Sequence, residues 1–143
     1  MKKIFLTGIT GLVGSAFVVA LLRERQDCEI VCLARKSAVK SAEERVGEII
    51  RSECEFDGCP ELAPRVLESV KVIEGDVVDL DPQAMKDHPL LKDTDAVFHC
   101  AADVNLGKDP TGRTFRINYN GTKNMVELAK LLKAKEFHYV GTA

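Results

Sequence analysis

The chain has 143 residues and a formal net charge of −2; 45% of its residues are hydrophobic and 29% are charged. This length corresponds to one domain, and the apolar content is enough for a packed core, which excludes an intrinsically disordered chain. The balanced charge includes no basic stripe and therefore gives no electrostatic reason to expect a nucleic-acid partner.

Short apolar segments alternate along the chain with longer helical patterns. Strands are predicted over residues 3–7, 29–34, 70–74, 96–100 and 137–140. Helices are predicted over residues 12–25, from the capping box at Ser41 onward, around residues 62–67, irregularly over residues 82–91, and from Asp109-Pro110 to about residue 135. The alternation predicts an α/β fold with a Rossmann-like, doubly wound parallel sheet of about five strands in the order 3-2-1-4-5. We expect the ligand crevice at the carboxyl ends of strands 1 and 4.

The first strand and helix form a nearly uncharged run after Lys2-Lys3, a pattern that also fits a signal peptide or a membrane helix. Gly8, Gly11 and Gly14 interrupt this run at regular intervals, which favours a buried strand followed by a buried helix. We therefore expect no membrane association. The five cysteines are odd in number and include no Cys-x-x-Cys pair, which favours a reducing, cytoplasmic compartment and no metal site.

A glycine-rich turn connects the first strand to the first helix. Gly8 can take a positive φ as the chain leaves the strand, Gly11 lets the backbone approach a diphosphate, and Gly14 lets the helix pack closely on the sheet. The start of the helix adds free N–H groups and the positive end of its dipole. The candidate dinucleotide-binding residues of this turn are Thr7, Gly8, Thr10, Gly11, Leu12, Val13 and Gly14. The alternative is a turn with a purely structural role.

The second strand ends in Ala34-Arg35-Lys36. An NAD-selective site usually places Asp or Glu near this point to bind the ribose 2′-hydroxyl. Two cations favour a 2′-phosphate instead, and an arginine can bind it through two parallel hydrogen bonds. We therefore predict that Arg35 and Lys36 bind NADP, with NADPH preferred over NADH. The alternative is an ordinary solvated basic pair.

The motifs resemble those of a known superfamily. The Gly-x-x-Gly-x-x-Gly spacing of residues 8–14 resembles the extended short-chain dehydrogenases/reductases. The segment His99-Cys100-Ala101-Ala102, followed by Val104, is similar to a narrower group: thioester reductase domains of peptide and polyketide synthetases, carboxylic acid reductases and the male-sterility-like fatty acyl-CoA reductases. Residues 118–122 resemble the Asn-Val-x-Gly-Thr segment of the same group, and the long connection between strands 2 and 3 is also similar. The resemblance covers residues 3–143.

The resemblance implies a role for several residues. Asp76 would accept a hydrogen bond from the adenine amino group, and the backbone of Val77 would contact the ring. The small residues Cys100-Ala101-Ala102 would let the backbone approach the diphosphate and ribose. Asn118 would brace the active-site loops through hydrogen bonds. Thr142 matches the catalytic Thr or Ser that hydrogen-bonds the substrate carbonyl.

The superfamily also uses a Tyr-x-x-x-Lys pair downstream of this Thr, in which the Tyr transfers a proton. Tyr119 and Lys123 match that spacing but precede strand 5, so we interpret the match as coincidence. We expect residues 1–143 to be the NAD(P)-binding portion of a truncated reductase, inactive alone. The parent would reduce an acyl thioester on a carrier protein or CoA to an aldehyde or alcohol. The alternatives are a non-catalytic dinucleotide-sensing module and an extended epimerase or dehydratase acting on nucleotide sugars.

Overall fold

The computed structural model describes residues 1–141 and contains one parallel sheet with the strand order β3-β2-β1-β4-β5, which confirms the predicted fold class and order. The strands are β1 (Lys2–Thr7), β2 (Cys28–Ala34), β3 (Val70–Glu74), β4 (Ala96–His99) and β5 (Glu136–Tyr139). In the register at the centre of the sheet, Ile4 of β1 pairs with Ile30 of β2 and with Ala96 of β4.

Helices connect the strands. They are α1 (Leu12–Glu24), α2 (Ala42–Phe56), α3 (Ala63–Glu68), α4 (Pro82–Met85), α5 (Arg113–Phe115), a π-helical segment (Arg116–Gly121) and α6 (Thr122–Leu131), with single 3-10 turns at Pro60–Leu62 and Pro89–Leu91. The predicted capping box opens α2. The Glu44 backbone N–H donates to the Ser41 hydroxyl at 3.1 Å, and the Glu44 carboxylate accepts from the Ser41 N–H at 2.8 Å.

The prediction for the last helix was wrong at both ends. The segment from Asp109 to Gly112 forms a turn, in which the Gly112 N–H donates to the Asp109 carbonyl at 3.1 Å and Gly112 has a φ of +67°. The Asp109 carboxylate, at the start of this turn, caps the helix that follows it by accepting from the Phe115 N–H at 3.0 Å. The helical run therefore begins at Arg113 and ends at Leu131.

Both faces of the central strands are buried, because these strands alternate side chains between two apolar clusters, whereas the edge strand β5 is exposed. On one face, Ile4 and Leu6 of β1 pack with residues of α1, α2 and α3. On the other face, Phe5 packs with Met125 and Leu128 of α6. This arrangement leaves the carboxyl ends of the strands, and the loops that follow them, as the place where a site can form.

The nearly uncharged run at the start of the chain is divided between β1 and α1, as the glycine pattern predicts. Within residues 1–141, no helix combines the length and the apolar character needed to cross a membrane. The five cysteines are all free thiols.

Candidate functional site

A cavity of about 270 Å³ opens at the carboxyl end of the sheet, where β1, β2, β3 and β4 end. Its walls come from the loops that follow these strands and from the start of the last helical run. The lining residues are Gly8, Thr10, Gly11, Leu33, Ala34, Arg35, Gly75, Asp76, Val77, Cys100, Ala101, Ala102, Asp103, Val104, Arg113 and Ile117. The position agrees with the crevice expected from the strand order.

The three glycines of the first turn have different surroundings. Gly8 has a φ of +83°, and a Cβ built on it would lie 2.7 Å from the backbone of Ala101 and Cys100. A Cβ on Gly14 would lie 2.1 Å from the Gly8 carbonyl oxygen, whereas a Cβ on Gly11 would meet only that oxygen, at 3.4 Å. Gly8 and Gly14 are therefore required by the packing of the protein itself. Gly11 tolerates a side chain sterically, and the absence of one keeps its backbone accessible from the cavity.

Four residues of the predicted turn do not line the cavity. Thr7 and Gly14 are buried beneath it, and Gly14 packs against the turn rather than against the sheet. Leu12 and Val13 follow Gly11 as the first residues of α1, and their side chains are exposed. Their backbone N–H groups lie in the first turn of the helix, where no intrahelical acceptor is available.

Arg35 and Lys36 are separated by the structure. Arg35 lines the cavity, and its Nη1 lies 3.8 Å from the Asp76 Oδ2 atom. The other carboxylate oxygen of Asp76 accepts from the Val78 N–H at 3.1 Å. Lys36 does not line the cavity, and its Nζ lies 4.0 Å from the Glu74 carboxylate. Only the first cation of the pair is thus placed to contact a ligand in the cavity.

Asn118 holds the loop that follows β4. Its Oδ1 accepts from the Asp103 N–H at 2.8 Å, and its Nδ2 donates to the Asp103 carbonyl at 2.9 Å. The Asp103 carboxylate in turn accepts from the Thr114 hydroxyl at 3.0 Å. The amide of Asn118 therefore satisfies both backbone groups of a cavity residue without lining the cavity itself.

The same helical run also contacts the opposite wall. A Cβ built on Gly121 would lie 2.7 Å from the Val77 Cγ2 atom, so a glycine is needed for this close approach. Asn124 Nδ2 donates to the Val77 carbonyl at 2.9 Å. The loops after β3 and β4 are thus fixed by one continuous helical segment.

Two titratable groups near the cavity are neutral at neutral pH. Burial raises the pKa of the Cys100 thiol to about 11, and the thiol donates to the Thr7 carbonyl at 2.9 Å. A protonated thiol is a poor nucleophile. Burial lowers the pKa of His99 to about 4, and its two ring nitrogens contact the hydroxyls of Thr7 and Thr122.

Tyr119 and Lys123 lie in a separate surface groove formed by residues of the π-helical segment, α6 and β5. The Tyr119 ring is stacked on Phe115, with 5.0 Å between the ring centroids. Neither residue lines the cavity at the carboxyl end of the sheet. The predicted catalytic residue, Thr142, lies outside the described residues.

Sequence reasoning missed several residues of the cavity wall. Arg113 and Ile117 were not singled out because the helix was expected to begin at Asp109. They are four residues apart and share a helix face, but the sequence does not show that this face borders the ends of the strands. Leu33 and Gly75 carry no polar chemistry, and only their positions next to strand ends indicate the site.

The fold and the cavity define a class of protein. A glycine-rich turn at the switch point between β1 and β4 of a 3-2-1-4-5 sheet is typical of a Rossmann-like dinucleotide-binding domain. The NAD-binding family model described as male sterility protein matches residues 6–143. The chain belongs to this family, the thioester reductase and fatty acyl-CoA reductase group of the extended short-chain dehydrogenases/reductases, which confirms the resemblance of its motifs.

Two of the similar proteins are reductases, and a third is a nucleotide-sugar epimerase with a similar fold. The chain is 30% identical to fatty acyl-CoA reductase 2 of Homo sapiens, in an alignment that covers 99% of this chain and 28% of that protein. The terminal R domain from the myxalamid PKS-NRPS biosynthetic pathway is 29% identical, with a TM-score of 0.74 over 100% of this chain and 35% of that one. UDP-glucuronic acid 4-epimerase from Bacillus cereus in complex with NAD is 28% identical, with a TM-score of 0.63 over 94% of this chain and 37% of that one.

Proposed function

We propose that residues 1–143 form the NADPH-binding part of a reductase that acts on acyl thioesters of CoA or a carrier protein. The product would be an aldehyde or an alcohol. The main support for the proposal is that one cavity is lined both by the glycine-rich turn after β1 and by Arg35 after β2. This combination matches the diphosphate and the 2′-phosphate of one dinucleotide.

The lining of the cavity fits the diphosphate of a dinucleotide. Gly11, Ala101 and Ala102 all line it and carry little or no side chain, so a diphosphate can approach their backbone closely. The Gly11 and Ala101 N–H groups already donate to the Gly8 carbonyl and the Thr7 hydroxyl, so the free donors would come from elsewhere. The start of α1 follows Gly11 directly and adds free N–H groups with the positive end of the helix dipole. These features favour an anion at the turn without the need for a cationic side chain there.

The preference for NADPH rests on Arg35. Its pairing with Asp76 is long, and the Arg35 side chain is 55% exposed, so the pair contributes at most about 1 kcal/mol. A charge-assisted hydrogen bond to a phosphate is stronger, at about 1.5–3 kcal/mol. A 2′-phosphate would therefore draw the guanidinium away from Asp76. The carboxylate would remain available for the adenine amino group.

In the mechanism, the bound dinucleotide supplies the hydride. Residues of this chain bind and orient it: the turn at its diphosphate, Arg35 at its 2′-phosphate, and the loop held by Asn118 alongside. Thr142 would polarise the thioester carbonyl by donating a hydrogen bond. The Cys100 thiol takes no covalent part, because its raised pKa of about 11 keeps it protonated at neutral pH.

A titration of the 143-residue chain tests the cofactor proposal. The chain has no Trp, so the fluorescence of the reduced nicotinamide is read without interference from tryptophan. We expect NADPH to bind at least tenfold more tightly than NADH, because losing the contact of Arg35 with the 2′-phosphate would cost about 1.4 kcal/mol or more of binding free energy. The variant Arg35→Gln should remove this preference, and the matched control Lys36→Gln should keep it. NADH binding as tightly as NADPH to the unchanged chain would overturn the assignment.

A second experiment tests whether the chain acts on a substrate by itself. Reduction of a thioester needs a proton donor near the nicotinamide, and Tyr119 lies in a groove away from the cavity. We therefore expect the chain to bind NADPH without oxidising it in the presence of a long-chain acyl-CoA. Turnover that is lost in Tyr119→Phe would assign the Tyr119 and Lys123 pair a catalytic role and contradict this proposal.

A further inference from the structure

His99, at the end of β4, is buried with no exposed surface, and both of its ring nitrogens meet side-chain hydroxyls. Nδ1 lies 2.6 Å from the Thr7 hydroxyl at the end of β1. Nε2 lies 2.9 Å from the hydroxyl of Thr122, the first residue of α6. The Tyr139 ring of β5 stacks on the imidazole, with 5.7 Å between the centroids. One side chain thus joins three strands and a helix.

The Thr7 hydroxyl connects this histidine to the cavity. Its oxygen lies 3.3 Å from the backbone nitrogen of Ala101, which donates to it, and Ala101 lines the cavity. The Thr7 carbonyl accepts from the Cys100 N–H at 3.3 Å. Thr7 therefore fixes the first two residues after β4 through its backbone and its side chain together.

These contacts select one tautomer of the imidazole. The buried Thr7 oxygen already accepts from the Ala101 N–H, and its own proton needs an acceptor. Among the described residues, that acceptor is His99 Nδ1. Nδ1 must therefore be unprotonated, so Nε2 carries the hydrogen and donates it to Thr122. Thr122 is only half-buried, and its own proton can reach solvent.

We propose that His99 is a positioning residue for dinucleotide binding. As the neutral Nε2–H tautomer, it orients the Thr7 hydroxyl so that its oxygen faces the Ala101 N–H, and it thereby fixes the start of the loop that forms one wall of the cavity. The lowered pKa of His99 is consistent with a neutral ring at neutral pH. The effect on binding rests on the proposed dinucleotide function, whereas the tautomer and the loop contact do not.

The tautomer is tested on the unchanged chain by ¹⁵N NMR of the histidine ring. We expect a Nδ1 shift typical of an unprotonated nitrogen and a Nε2 shift typical of a protonated one. The amide hydrogen of Ala101 should exchange slowly with solvent. A Nδ1–H tautomer would overturn the proposal, whether or not the chain binds NADPH.

Two variants separate positioning from simple packing. His99→Asn keeps an acceptor near the position of Nδ1, and His99→Gln keeps a polar atom near the position of Nε2, while both remove the ring. We expect His99→Gln to speed exchange at Ala101 and weaken NADPH binding about tenfold. His99→Asn should stay closer to the unchanged chain at similar melting temperature. Equal losses in both variants, in proportion to lost stability, would show a packing role only and refute the proposal.

Discussion

Replacing Gly14 by alanine would disturb the glycine-rich turn from beneath. The added Cβ would lie 2.1 Å from the Gly8 carbonyl oxygen, 2.7 Å from the Gly8 carbonyl carbon and 2.9 Å from the Ile9 Cα. All three are backbone atoms that cannot rotate away, so α1 and the turn must separate by roughly 1 Å to reach ordinary contact. Alanine gains about 1 kcal/mol over glycine in a helix, and overpacking costs about 1–3 kcal/mol.

The expected result is a net loss of about 1–2 kcal/mol in the free energy of unfolding, because the clash involves rigid backbone. For a chain of this length, that loss lowers the melting temperature by roughly 2–8 °C. Thermal unfolding followed by circular dichroism measures this change. NADPH titration on the same samples should show weaker binding, since the displaced Gly8 lines the cavity.

Gly47→Ala is the matched control, because it also adds a methyl group within a helix. Its Cβ would meet only the side chain of Arg51, at 3.2 Å, and that side chain can move aside. This variant should be as stable as the unchanged chain or slightly more so. A Gly14→Ala variant that melts like Gly47→Ala and binds NADPH normally would refute the reasoning about the turn.

Three further predictions concern Gly11, Gly121 and His99. Gly11→Ala should keep the melting temperature, because its Cβ meets only one oxygen at 3.4 Å, but weaken NADPH binding; unchanged binding would remove Gly11 from the site. Gly121→Ala should weaken binding by pushing Val77, whose Cγ2 would lie 2.7 Å from the new Cβ, and a normal titration would contradict that link. Because burial lowers the pKa of His99 from 6.5 to about 4, the unfolded chain takes up this proton first as the pH falls. The free energy of unfolding, measured by urea titration at each pH, should fall by about 2 kcal/mol from pH 7 to pH 5 in the unchanged chain and by less in His99→Asn. An equal fall in both chains would contradict this.

Much of the fold follows from patterns that are local in sequence. Buried strands alternate with helices, and this fixes a parallel sheet with its crevice at the carboxyl ends. The start of the last helix was missed because Asp109-Pro110 has the residue types of a helix start, whereas the backbone first turns at Gly112. Residue propensities alone do not show whether Asp109 caps a helix that begins at the next residue or one that begins several residues later.

The site was harder to predict where it depends on contacts between distant residues. Arg35 and Lys36 look equivalent in sequence, but only Arg35 lines the cavity, whereas the Lys36 Nζ lies 4.0 Å from Glu74. Gly14 was assigned to helix–sheet packing, while its contact is with the Gly8 carbonyl. The pattern around His99 gives no sign that hydroxyls from two other elements meet its ring.

The helical run from Arg113 to Leu131 contains the π-helical segment Arg116–Gly121, and the number of residues in this run affects the site as well as their identities. Asn118 lies within the segment and holds one wall of the cavity, and Asn124 lies beyond it and holds the other. Each residue of an α-helix turns the chain by about 100°. Deleting one residue between them would change the rotation and the rise that separate Asn118 from Asn124. The spacing between the two walls therefore depends on the number of residues between Asn118 and Asn124, which substitution scanning does not change.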